Sequence, residues 1–246
     1  MRAHSVSETS RAISENEGIS RYPKSGYEAW NAWDKLFSYG DEKAHYFAGE
    51  TRDLAISGAT GLEIGFGSGD FLKWAQDRGA KVAGTEINSV LLDAARINSV
   101  ELLPDDFETI AEQQVARFET IIAFDVFEHF IWTRWRRLDA AGRMLKPGGH
   151  MAPRFPNAQS PFGLVPQHGD PTHRSYLSRS VIEQLLQDSK LTVSRYGPFF
   201  RLQTGRAQKR VVRALRYWFR DAISAVFNTI CATNIPWDPI VVLRKL

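Results

Sequence analysis

The chain has 246 residues, 43% of them hydrophobic and 24% charged, with a formal net charge of +3. That composition suits one substantial α/β domain and excludes a fibrous or wholly disordered chain. No run of about 18 apolar residues occurs and the first residues lack an apolar signal stretch, so neither a membrane-spanning helix nor export is expected. Cys231 is the single cysteine, which excludes an internal disulfide and a cysteine-rich zinc site and fits a reducing cytoplasm.

Residues 1–25 are polar without apolar periodicity and read as a loose arm, followed by a single domain over 26–246. Tyr27, Trp30, Trp33 and Phe37 recur at helical spacing. The stretch 26–57 is therefore expected to form a helical cap that packs on the domain, closes over a ligand, or does both. From Gly58 to Gly149 strand and helix signals alternate, the pattern of a parallel sheet. Strands are expected at 61–64, 81–86, 100–103 and 118–124, with helices at 71–76 and 89–96. A further helix carries Ile131, Trp135, Leu138 and Leu145 on one face and stops at Lys146-Pro147-Gly148-Gly149. The stretch 150–155 then reads as a strand that Pro153 makes irregular, closing a core over 58–157. In 158–246, a polar loop with prolines leads to a helix at 179–187 and a strand at 191–196. A helical insertion follows within 200–238, and 240–243 reads as the last strand.

Glu63-x-Gly65-x-Gly67-x-Gly69 stands at the end of the first strand. Glycines there let the backbone turn sharply and approach a ligand beyond the carboxyl end of the sheet. Glu86 ends the second strand, where a carboxylate accepts hydrogen bonds from both hydroxyls of a ribose. The dinucleotide fingerprint G-x-G-x-x-G would need glycine at position 70. Asp70 stands there instead, and its carboxylate would repel a pyrophosphate. A cofactor with a positive charge and no phosphate suits these acids better.

The segment Glu63 to Gly69 resembles motif I of the class I S-adenosylmethionine-dependent methyltransferases, and Glu86 resembles their ribose-binding acid. Phe118-Glu-Thr-Ile-Ile-Ala-Phe-Asp125-Val-Phe-Glu128-His129 is similar to their fourth-strand motif, and Met144-Leu-Lys-Pro-Gly-Gly149 to the loop before their fifth strand. The resemblance implies a Rossmann-like α/β three-layer sandwich around a seven-stranded, mostly parallel sheet with an antiparallel last strand. It also implies S-adenosylmethionine as methyl donor, with S-adenosylhomocysteine as product. Glu63, Gly65, Gly67, Gly69, Glu86, Ile87 and Asp125 would bind that cofactor, with Gly65 and Asp125 at its methionine end. Asp105 or Asp106 would face the adenine amino group beside Phe107, and the adjacent acids leave the choice between them open.

Methyl transfer is an in-line displacement that needs an aligned nucleophile and, for a hydroxyl, a base. His129 follows the fourth strand beside Glu128, and His173 closes the segment Gln167-His168-Gly169-Asp170-Pro171-Thr172-His173. Both histidines are candidate catalytic groups, against purely structural roles as helix cap, core residue or loop tether. The second segment resembles the Thr-His stretch that borders substrate in the ubiquinone-biosynthesis O-methyltransferases and related small-molecule enzymes. By that resemblance His173 is the preferred substrate contact, with His168 and Asp170 beside it, and Glu128, just beyond the fourth strand, is also expected to contact substrate. Imidazoles and carboxylates could bind a divalent metal, but their spacing matches no closed metal motif, and no metal is assigned.

Arg206, Lys209, Arg210, Arg213, Arg216 and Arg220 interleave with Val212, Leu215, Trp218, Phe219, Ile223, Val226, Phe227 and Ile230. Such a helix buries its apolar side on the domain or a second subunit, lies on an anionic membrane surface, or binds an anionic substrate. The expectation for the whole is O-methylation of a small molecule or glycan intermediate, in the cytoplasm or at the inner face of a membrane. N-methylation of an amine or amino sugar, and a cofactor-binding subunit without catalysis, stay open. No nucleic-acid partner is expected, because Asp125-Val-Phe-Glu128 replaces the Asn/Asp-Pro-Pro-Tyr/Phe motif of many base-modifying relatives.

Overall fold

The computed structural model describes residues 35–130, 136–187, 189–236 and 239–246. The strands are β1 (Thr60–Ile64), β2 (Lys81–Thr85), β3 (Glu101–Leu102), β4 (Phe118–Phe124), β5 (Leu145–Arg154), β6 (Leu191–Pro198) and β7 (Pro239–Lys245). They form one sheet in the order β3-β2-β1-β4-β5-β7-β6. β1 to β5 pair in parallel, and β7 enters antiparallel between β5 and β6. The seven-stranded sheet implied by the family resemblance is therefore present. Its strand order reverses between β1 and β4, and that reversal opens the crevice in which such sheets bind ligands.

Helices cover both faces: α1 (Asp41–Glu50), α2 (Asp70–Gln76), α3 (Ser89–Ile97), α4 (Phe107–Gln113), α5 (Arg136–Met144), α6 (Leu164–Gly169), α7 (Arg179–Leu185) and α8 (Ala207–Cys231). The continuous apolar run of β4 needs two covers, because successive side chains point to opposite faces. Ile121 and Ala123 join a cluster with Phe107 and Ile110 of α4, Leu138 and Met144 of α5 and Ile182 of α7. Ile122 joins the other, with Phe47 of α1 and Phe71 and Trp74 of α2. Each isoleucine buried this way contributes about 1.5–3 kcal/mol relative to exposure.

The structure departs from the sequence expectation in four places. Leu145 does not close a helix; α5 ends at Met144 and β5 begins at once. Lys146 to Gly149 form a bulge inside β5, since Phe118 pairs with Leu145 and Thr120 with His150, leaving Glu119 alone opposite them. Gly148 has φ +75°, and a Cβ on Gly149 would come within 2.9 Å of the Lys146 carbonyl oxygen. Pro153, expected to disturb the strand, pairs in register with Ala123.

The expected aromatic helix is the second case. Tyr27, Trp30, Trp33, Ile131 and Trp135 lie outside the described residues. Phe37 is not helical: it has φ +51°, donates its N–H to the Ser68 carbonyl at 2.8 Å and buries its ring. Third, the proline-containing loop after β5 includes α6.

Fourth, α8 faces the domain with its polar side. Its half-buried positions are Arg213, Tyr217, Arg220, Ser224, Phe227 and Asn228, and none of its residues is fully buried.

Candidate active site

The apolar run of β1 ends in a loop whose three glycines all adopt the left-handed conformation, with φ +62° at Gly65, +53° at Gly67 and +73° at Gly69. Gly65 donates its N–H to the Thr85 carbonyl at 2.9 Å, drawing the loop to the end of β2. A Cβ on Gly65 would come within 2.8 Å of Val126, which follows β4, so only glycine allows that approach. Glu86 fastens the same loop: its Oε2 accepts the Gly67 N–H at 3.1 Å, and its Oε1 accepts those of Ile87 at 2.7 Å and Asn88 at 3.1 Å. A carboxylate offers about four acceptor positions, so a ribose diol would share Glu86 with this backbone. Ile87 is exposed at the rim.

Glu63 lies under the loop and is almost fully buried, with Oε2 lacking a hydrogen-bond partner among the described residues. Burial, then the charges of Asp70 and Glu86, push its carboxyl well above the usual range and favour its neutral form. Asp70, also buried, is paired by Lys43 of α1 and accepts the Ser38 N–H at 3.3 Å. The segment from Phe37 to Lys43 thus closes against the glycine loop.

At the end of β4, Asp125 is exposed with φ +56° and is held by Arg154, the last residue of β5. Arg154 Nε donates to Asp125 Oδ1 at 3.0 Å, Nη2 pairs with Oδ2, and Nη1 donates to the Tyr46 hydroxyl of α1. Sequence reasoning missed Arg154. The available signal was a cation closing an apolar strand, which requires a partner nearby.

Of the two neighbouring acids, Asp106 caps α4 by accepting the Glu108 N–H at 3.2 Å and the Thr109 hydroxyl at 2.6 Å. Asp105 is exposed and has no such helix-capping role. Phe107 is turned into the core against Phe130, with ring centroids 5.8 Å apart, and does not stand at the rim.

One 3₁₀ turn, Phe127–His129, carries the next group of side chains directly past Val126. The Glu128 carbonyl accepts the N–H groups of Arg174 at 2.7 Å and Ser175 at 2.9 Å, which brings the distant 170–175 segment to the end of β4. Glu128 is fully buried, and neither carboxylate oxygen has a hydrogen-bond partner among the described residues. Burial, aided by Asp125, raises its pKa well above the carboxylate range. His173 Nε2 lies 4.0 Å from Glu128 Oε1 and 3.8 Å from Asp170 Oδ2, and its ring stands nearly perpendicular to that of His129, with centroids 4.7 Å apart.

Thr172 decides the state of His129. Its hydroxyl donates to Asp170 Oδ1 at 2.5 Å, and its oxygen lies 2.8 Å from His129 Nδ1. A hydroxyl has one proton, so with that proton on Asp170 it accepts from His129 Nδ1–H, leaving the imidazole lone pair on Nε2. Burial, then His173, holds His129 below its ordinary pKa and keeps it neutral at pH 7. Burial opposes ionisation of Asp170, but the two hydrogen bonds from Thr172 outweigh it and its pKa is lowered. His168 is not part of this group: it is exposed on α6, with its ring 5.9 Å from that of Tyr176.

A methyltransferase domain family matches residues 35–195, more than half of the chain. The chain belongs to that family. Two ubiquinone biosynthesis O-methyltransferases are similar in sequence. That of Alkalilimnicola ehrlichii is 26% identical over 102 residues, 39% of this chain and 41% of the relative. That of Idiomarina loihiensis is 31% identical over 106 residues, 41% and 43% of the two chains. The chain thus spans about two fifths of the length of the curated relatives it matches. Among solved structures, an S-adenosylmethionine-dependent methyltransferase from Archaeoglobus fulgidus superposes with a TM-score of 0.58 at 17% identity, covering 84% of this chain and 95% of that one. A Haloferax volcanii methyltransferase, solved with the Trm112 methyltransferase activator, gives 0.59 at 15% identity over 88% and 96% of the chains. Likeness at these identities is likeness of fold, and the fold is that of the class I S-adenosylmethionine-dependent methyltransferases.

The donor set of this methyltransferase fits that cofactor. Glu86 offers its carboxylate to a ribose and the exposed Asp125, oriented by Arg154, stands at the end of β4, while Asp70 is buried and already paired by Lys43. Glu128, His129 and His173 also place ligand atoms within 4.8 Å of one another, a set able to hold a divalent ion. The sequence offered Glu128 and His173 among possible metal ligands without a motif to join them; the ligands come from two segments that meet through the Glu128 carbonyl, the Thr172–His129 contact and the two imidazole rings.

Proposed function

We propose that this methyltransferase transfers the methyl group of S-adenosylmethionine to an oxygen of a small-molecule or glycan-intermediate acceptor, with His129 as general base. The observation that carries the reading is the chain from Asp170 through the Thr172 hydroxyl to His129 Nδ1, which leaves Nε2 basic. The His129 N–H donates to the Val126 carbonyl at 3.1 Å, and Val126 is the residue that Gly65 approaches. Gly65, Gly67, Glu86, Asp105 and Asp125 would hold the cofactor, Glu86 at the ribose and Asp105 at the adenine amino group. When bound, S-adenosylmethionine supplies a methyl group activated by its sulfonium. His129 Nε2 receives the acceptor's proton, and the imidazolium so formed is stabilised by Asp170 through Thr172. His173, against the His129 ring, borders the acceptor. Two relatives named as O-methyltransferases support oxygen as the nucleophile.

His129→Ala should lower kcat roughly 100-fold or more while cofactor affinity measured by calorimetry stays unchanged. Full activity in both His129→Ala and His129→Ala/His173→Ala would sink the base and favour an amine acceptor, which needs no such help.

A second reading rests on the buried, unpartnered carboxylate of Glu128 beside both histidines. A divalent ion held there would acidify the acceptor hydroxyl. Activity lost to a chelator and restored by added metal selects this reading; activity indifferent to the chelator selects the base.

A further inference from the structure

We propose that α8 is a membrane-surface helix that lays its outward face on a bilayer containing anionic phospholipid. A helix on a globular domain ordinarily turns its apolar stripe inward. Here the stripe Arg213, Tyr217, Arg220, Ser224 and Phe227 faces the domain. Arg213 donates to Glu42 of α1 at 2.7 Å and to the Thr204 carbonyl at 2.8 Å, Asp221 is held by Arg201, and Arg220 lies over the Phe162 ring. These polar ties fix the rotation of the helix, and they leave Leu215, Trp218, Phe219, Ile223, Val226 and Ile230 outward, each at least half exposed. The apolar strip from Leu215 to Ile230, roughly 24 Å long at the α-helical rise, marks an interaction surface.

Charge selects the occupant. Lys209, Arg210 and Arg216 border the strip, and Arg210 and Arg216 form no ion pair among the described residues. Asp221, the one acid of α8, is exposed but already paired with Arg201 through both carboxylate oxygens. A second copy of this face would bring the same cations with no free carboxylate to meet them, whereas a layer of phosphodiesters complements both the cations and the apolar strip. Gln208, Lys209, Val212 and Arg216 lie side by side around one open depression near the start of the helix, which gathers cations there. Trp218 and Phe219 pack edge to face at 4.9 Å, amphipathic and apolar rings of the kind that seat at the headgroup boundary. No helix among the described residues is long and apolar enough to cross a membrane, so α8 would lie on the surface.

The test is co-sedimentation of the full chain with vesicles of phosphatidylglycerol and phosphatidylcholine, or of phosphatidylcholine alone, at about 50 mM and about 500 mM salt. Binding to the anionic vesicles at low salt should fall about tenfold or more in neutral vesicles, at high salt, and in each of two double variants, Trp218→Ser/Phe219→Ser and Arg210→Glu/Arg216→Glu. These side chains are exposed, so both variants should keep the wild-type melting temperature, which separates lost binding from lost folding. The proposal is overturned if neither vesicle is bound, or if either folded variant binds like the wild type. It is equally overturned if the chain is a dimer that Trp218→Ser/Phe219→Ser makes monomeric without vesicle binding, which would assign the face to a second copy.

Discussion

Thr172 is a small residue with a large assignment, because its single hydroxyl proton sets the tautomer of His129. Thr172→Val keeps the shape and removes the relay, so kcat should drop about tenfold or more with KM little changed. Unchanged kcat would show that the tautomer is set elsewhere. Glu63 carries a different consequence. Its folded pKa is raised, so its contribution to stability is full below the unfolded value of about 4.5 and is lost as pH rises toward the folded value. Over that window the loss is up to about 1.4 kcal/mol per pH unit for the one proton. Glu63→Gln keeps the neutral form at every pH, so its melting temperature should fall less than the wild type's between about pH 5 and about pH 8. Parallel curves would place an ionised carboxylate there. Both roles depend on neighbours far away in the chain, which is why the sequence indicated Glu63 and His129 as site residues without their protonation states.

Among the elements, β5 shows how local chemistry was legible and its use was not. Lys146-Pro147-Gly148-Gly149 has the composition of a helix stop followed by a loop. The sheet instead absorbs these residues as a bulge opposite Glu119, because Phe118 and Leu145 are both buried and must stay in register. Gly149→Ala would set a methyl group 2.9 Å from the Lys146 oxygen and 3.1 Å from that of Glu119. We expect a loss of about 1–3 kcal/mol in denaturant unfolding; a neutral outcome would mean that the bulge shifts freely. The amphipathic pattern of α8 was equally plain in sequence, yet periodicity does not say which side of a helix meets the domain. Arg213, Arg201 and Phe162 settle that in favour of the polar side.

For the molecule as a whole, the reversal of strand order puts the Gly65 loop, Glu86 and Asp125 around one crevice. A ligand bound there only in the folded state must stabilise the fold. S-adenosylhomocysteine at about 100 times its Kd should add about 2.7 kcal/mol, read as a rise in melting temperature. At the same ligand concentration Glu86→Ala should show a clearly smaller rise, since it loses a charged hydrogen-bonding partner worth about 1–3 kcal/mol. Equal shifts in both proteins would remove Glu86 from the cofactor site. By itself the sequence determined the strand and helix alternation, the glycine turn and the acids of the crevice, because each depends on residues close together in the chain. Only the tertiary structure decided that His173 and Asp170 meet Glu128 and His129, that Arg154 clamps Asp125, that Asp106 and not Asp105 is used up as a helix cap, and that α8 turns its apolar side outward. Each of those rests on a pairing between distant segments, and for α8 such pairings override the apolar-inward orientation that the local pattern favours.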